Sequence, residues 1–175
     1  MKAFVLLAGM ALAAPMADAA QLPVPIGRDA EACIAGGEPA IMVIPEGLKD
    51  RKGLLRLELY PDNDRDFLQD DKILIDAGRT FRRVDVPTPQ SGPIALCIRV
   101  PRPGRYTLML LHDRDSNRKF SVFADGAGFP GNPRLGLSRP KAQQALIAVG
   151  QRVTVTHIVL NYFHGLSFSP LKQGD

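Results

Sequence analysis

The side chains best equipped for chemistry fall between His112 and Asp125, in the run HDRDSNRKFSVFAD. Oxygen donors at Asp113, Asp115 and Asn117 recur at every second position, as in the first half of a calcium loop, and Asp125 follows Asp113 by twelve residues. Hard oxygen ligands at that spacing suit calcium. His112 next to Asp113 suits a transition metal, or a base held by its neighbour. The calcium pattern is incomplete: Arg118 stands where the sharp-turn glycine belongs and Ala124 where the bidentate acid belongs, while Arg118 and Lys119 oppose a divalent ion. These departures favour a hydrated turn in which Asp and Asn side chains bond their own backbone.

Other chemistry is sparse. A zinc site needs His157 or His164, the remaining histidines, to converge on His112, and nothing in their spacing requires it. The acids Asp62, Asp64, Asp66, Asp70 and Asp71 lack ligand spacing around a glycine and read as a solvated loop. There is no Gly-x-Ser-x-Gly elbow, His-Glu-x-x-His, phosphate-cradling loop or dinucleotide fingerprint. No catalytic residue is therefore assigned. A hydrolase rests on His112 with Asp113 alone, and a non-enzyme is the favoured class.

Strands must position these groups. Tyr106, Leu108 and Leu110 alternate with Thr107, Met109 and Leu111, so both faces of the strand that ends at His112-Asp113 are apolar, as in a central strand. Leu55, Leu57 and Leu59 alternate with Arg56 and Glu58, which predicts a strand with one face in water. Phe81 to Val86 and Ala40 to Ile44 give two more. Ile94 to Val100 is expected to form a hairpin with the Tyr106 strand across Pro101 to Gly104, and Gln144 to Val149 another with Arg152 to Tyr162 across Gly150-Gln151. A bulge or a doubly covered segment near His157 would accommodate the dense run that follows it. Short strands with Gly/Pro turns predict an all-β fold, an antiparallel two-layer β-sandwich of Ig-like or transthyretin-like architecture with about seven or eight strands.

The Gly104 to Pro140 segment resembles the signature of a bacterial envelope family known only as domain of unknown function number 2141. The matching residues are Gly104 and Tyr106, His112 and Asp113, Asn117, Lys119 and Phe120, Gly128 and Pro130, and Gly136 and Ser138, with a looser match from Gly53 to Tyr60. Arg118, Ser121 and Asn132 depart from the pattern, replacing a Gly, an acid and a Glu, and so remove acidic ligands. The resemblance implies a small β-sandwich outside the cytoplasm and no established activity.

Export is also written at the amino terminus. Lys2, an apolar Ala3 to Ala14 and the small-residue pattern Ala17-Asp18-Ala19 predict a signal peptide, 1–19, cleaved near Ala19. No later run approaches the ~20 apolar residues of a membrane span, so a periplasmic or secreted chain without a transmembrane segment is expected. The remainder divides into an extended segment, 20–39, a sandwich domain, 40–166, and a tail, 167–175. The net charge is +4, but the arginines are scattered and no basic run carries interleaved aromatics, so nucleic acid is an unfavoured partner. In an oxidising compartment the two cysteines form one bridge, Cys33 to Cys97, or stay as separate buried thiols. The polar, Gly-flanked setting of Cys33 favours the bridge.

The function expected from these features is a non-catalytic binding or structural module of the cell envelope, recognising a glycan or another protein. Its expected binding residues are His112, Asp113, Asp115, Asn117 and Asp125. A calcium- or transition-metal-binding protein using the His112 to Asp125 turn, with Asp113, Asp115, Asn117 and Asp125 as metal ligands and calcium as the one candidate cofactor, is the alternative.

Overall fold

The computed structural model describes residues 22–171, so the expected leader lies outside the described residues. In chain order its elements are β1 (Pro25–Ile26), α1 (Ala30–Ala35), β2 (Ala40–Glu46), β3 (Leu54–Pro61), α2 (Asp71–Asp76), β4 (Arg82–Pro87), β5 (Ala95–Arg99) and β6 (Gly104–Asp113). There follow β7 (Gly126–Gly128), a 3₁₀ turn (Ala142–Ala145), β8 (Leu146–Val149), β9 (Thr154–Val159), β10 (Asn161–His164) and β11 (Ser167–Pro170).

Period-two alternation decides the layering. Leu55, Leu57 and Leu59 of β3 and Tyr106, Leu108 and Leu110 of β6 turn one apolar face inward, and Ile41, Val43, Leu96 and Ile98 meet them from the other sheet. The sheets run β1-β5-β2-β9 and β11-β10-β7-β6-β3-β4, with β8 also on β6. Pairing is antiparallel except for β1 with β5 and β2 with β9. The fold is an all-β sandwich, as the turn-bounded strands predict. β6 is the central strand expected of it, buried on both faces from Tyr106 to Asp113.

The connections differ from expectation. β5 and β6 are not a hairpin: β5 pairs with β2 in the first sheet and β6 with β3 in the second, so Pro101 to Pro103 carries the chain between layers. Nor do β8 and β9 pair. β8 lies on β6, whereas β9 crosses to run parallel to β2. The dense run after His157 needs no bulge, because Val159 ends one sheet and Asn161 begins the other, with Ile158, Leu160 and Tyr162 all in the core. Turn length cannot separate a hairpin from a crossover when both flanking strands are apolar. The amino-terminal segment is not simply extended, since it holds β1 and α1. The expected tail begins with a strand, β11 on β10. Among the described residues the strand count rises to eleven through pieces as short as β1 and β7.

The second face of β3 is the other surprise. Arg56 and Glu58 are only 3% and 5% exposed. Segments 62–83 and 129–145 cover that face and bury Phe67, Leu74, Phe129 and Ala145 against Tyr60, Met109 and Leu111. Two buried charges survive there because cross-strand register sets Arg56 opposite Asp85 and Glu58 opposite Arg83.

Candidate functional site

His112 is the last inward residue of β6 and is fully buried. Its Nε2 lies 2.8 Å from the Lys52 carbonyl, which only accepts, so Nε2 carries the proton. Nδ1 then accepts from the Tyr162 hydroxyl at 2.7 Å, and that hydroxyl accepts the Lys49 amide at 3.0 Å. Burial holds the imidazole below the usual histidine range, against the pull of the Lys52 carbonyl and Asp50. Burial likewise pushes the Tyr162 hydroxyl up to about 12. His157 stands elsewhere, exposed and 2.7 Å from Glu46 on the first sheet. Both nitrogens of His112 are engaged within the fold, and among the described residues no histidine joins a cluster of potential metal ligands.

The backbone comes close at this corner. A Cβ on Gly53 would lie 2.0 Å from the Asp113 carbonyl oxygen, and one on Gly126 2.4 Å from the Tyr162 ring. Only glycine lets the chain just before β3 approach the end of β6, and β7 approach the Tyr162 ring of β10, so nearly.

Asp113, Asp115 and Asp125 do converge: each offers an oxygen within 4.8 Å of the others. Asp113 and Asp125 are buried and Asp115 is exposed. These oxygens also accept the loop's own donors. Asp113 takes the amides of Asn117 at 3.2 Å and Arg118 at 2.8 Å. Asp125 takes those of Arg114 at 2.8 Å and Ser121 at 2.7 Å, closing the loop across its base. Asp115 accepts from the Asn117 side chain and Ser121 hydroxyl, and Asn117 accepts the Lys119 amide at 2.7 Å. Burial raises the Asp113 carboxyl above the usual carboxylate range, and the neighbouring Asp115 and Asp125 push it the same way against the Arg118 amide. Arg114 adds an outer brace through Asp50 and the Ala124 carbonyl.

Arg118 has φ +64°, in the left-handed region where the resembled family carries glycine. Its amide and carbonyl are both used, the latter by Arg56 at 2.8 Å. Arg118→Gly keeps those bonds and removes a backbone cost of about 1 kcal/mol. Its melting temperature is expected to rise by about 2–4 °C, readable by circular dichroism.

Sequence reasoning missed a second feature, on the outer face of the seven-stranded sheet. Here Arg56 grips Asp85 through Nε and Nη2, at 2.6 and 3.1 Å, and Arg83 spans Glu58 and Asp71, at 2.6 and 2.5 Å. The Tyr60 hydroxyl donates to Glu58, and burial, with that carboxylate, raises its pKa. A cavity opens above these pairs, walled by the 113–138 loop and the turn before α2. The signal available in the sequence was the alternating Arg56 and Glu58, matched in β4 by Arg83 and Asp85; without the register, it reads as a wet face.

Comparison with known proteins adds one positive finding. The family model described as "Uncharacterized protein conserved in bacteria (DUF2141)" matches residues 43–157, from β2 into β9. No curated protein and no solved structure matches the chain.

Proposed function

Since the chain belongs to this bacterial family of uncharacterized proteins, we propose from the geometry that it is an exported, non-catalytic binding or structural module of the cell envelope. The observation that carries the proposal is the 112–138 segment. Its polar residues are fastened to one another and to β6 through Asp113 and Asp125, and its return lines a cavity. A loop held in this way is pre-organised and loses little entropy on binding. The loop face in this proposal recognises an envelope component, a glycan or another protein.

The test is co-sedimentation of the purified chain with isolated bacterial envelopes. The parent is expected to bind saturably, and an Asp113→Ala, Asn117→Ala double variant, checked for folding by circular dichroism, to bind about tenfold more weakly. Equal sedimentation of both removes the loop from recognition; no sedimentation of the parent removes the envelope module.

The convergence of Asp113, Asp115 and Asp125 supports a second reading, a calcium loop. Against it, amide donors already engage the carboxylates, and Arg118 and Lys119 follow directly. Calcium at 1 mM, roughly the weak end of protein sites, is expected to move the melting temperature of chelator-treated protein by less than about 1 °C. A rise of several degrees, abolished in Asp115→Ala, makes calcium the ligand.

A further inference from the structure

The cavity on the outer face of the second sheet has a volume of about 730 Å³, within the range of small-molecule sites. Its floor charges are occupied: Arg56 with Asp85, Arg83 with Glu58 and Asp71, while Asp70 caps the amide of Lys72 at 3.0 Å. What is free is of two kinds. Phe120 and Leu137 present apolar surface, 45% and 71% exposed, beside Leu111. Arg118, Lys119 and Arg139 also line the space, and among the described residues none of the three has a carboxylate within ion-pair distance. The lining thus carries five cations, Arg56, Arg83, Arg118, Lys119 and Arg139, against three carboxylates, Glu58, Asp70 and Asp71, and Asp85 holds Arg56 from outside it, so the surplus lies with Arg118, Lys119 and Arg139.

An apolar trough with surplus positive charge complements an apolar body bearing a negative group. A neutral glycan needs a floor of unpaired hydrogen-bonding groups, and here the floor groups bond one another. We propose that the cavity binds a fatty-acid anion, its chain along Leu111, Phe120 and Leu137 and its carboxylate among Arg118, Lys119 and Arg139. This rests on the 112–138 segment being an ordered recognition wall and names a ligand for the cavity behind it.

Displacement of the apolar sulfonate 1-anilinonaphthalene-8-sulfonate from the purified chain by dodecanoate, kept below its micelle concentration, tests the assignment. Dodecanoate is expected to compete at least about tenfold better than 1-dodecanol, with the advantage shrinking as salt rises. Arg118→Gly combined with Lys119→Gln is expected to weaken dodecanoate about tenfold without loss of melting temperature, and Leu137→Asn, at an exposed site, to weaken acid and alcohol alike. Equal competition by acid and alcohol, displacement by acetate at the same concentration, or indifference to these variants overturns the fatty-acid site. A self-associating chain whose dimer excludes the dye also overturns it. Envelope sedimentation separates the two proposals: if it persists while dodecanoate fails, only the fatty-acid site falls, and dodecanoate binding without sedimentation sinks the envelope module instead.

Discussion

The His112→Ala protein is expected to be about 4 kcal/mol less stable than its parent, a loss made of two parts. Removing a fully buried ring leaves a cavity between β6 and β10. It also strips the Tyr162 hydroxyl of its acceptor and the Lys52 carbonyl of a donor, each costing about 1–3 kcal/mol if water does not replace the ring. The same residue gives stability a pH dependence. Its folded pKa lies below the ordinary value of 6.5, so the unfolded chain takes up the proton first as pH falls. The stabilisation is complete above about pH 6.5 and is lost as pH drops toward the depressed folded value. Groups facing the ring modulate this: Asp50 and Asp125 favour the imidazolium and Arg114 opposes it. The Asp113 carboxyl works the other way, since its raised pKa makes its ionisation cost stability, a cost relieved on acidification. Asp29, Asp50 and Asp71, all lowered, contribute stability above the unfolded carboxylate range and lose it at lower pH. Subtracting the urea-unfolding profile of His112→Ala from that of the parent isolates the imidazole. A difference that stays flat between pH 7 and 5 shows that His112 is not held neutral by this site.

Much of this corner was legible in the residues. The period of β6, its polar end at His112-Asp113 and the Asp and Asn turn all follow from composition and spacing, because local hydrogen bonds govern turns. What spacing could not supply was direction. His112 ends an inward-facing row that starts at Tyr106, so it points into the core rather than toward the loop it introduces. Asp113, its neighbour on the opposite face, goes to the loop instead. The cavity was hidden for a related reason. Arg56 and Glu58 alternate with leucines as a solvated face does, and only the register with β4, together with the cover from Phe67 and Phe129, turns them into a buried ionic floor. Both crossovers, at Pro101 and Gly150, were lost to the same ambiguity: a short Gly or Pro link serves equally between partners and between layers.

Reduction of the Cys33–Cys97 disulfide is the other change expected to cost about 4 kcal/mol. The bridge spans 64 residues, with Cα atoms 6.0 Å apart, and the chain-entropy relation for a loop of that length gives that magnitude. Its local consequence follows from what it ties. α1 has six residues, no side-chain N-cap bond and no basic residue in its last turn, so it cannot persist by helix propensity. Ala32 and Cys33 anchor it on the outer face of the first sheet, against Ala40, Met42, Ala95 and Cys97. Asp29 adds a second tie just before the helix, accepting the Arg99 amide at 2.8 Å and the Arg82 guanidinium at 3.0 Å. Cys33→Ala, Cys97→Ala keeps small apolar side chains at both positions and removes only the covalent link. It is expected to melt about 10 °C lower than the parent. Because Asp29 still holds the base of the helix, residues 30–39 are expected to exchange amide hydrogens faster while β3 and β6 open only with the whole fold. Uniform acceleration across all strands indicates instead that the bridge acts through the unfolded chain alone. An unchanged melting temperature shows that Asp29 and the Cys97 face already fix the amino-terminal segment without it.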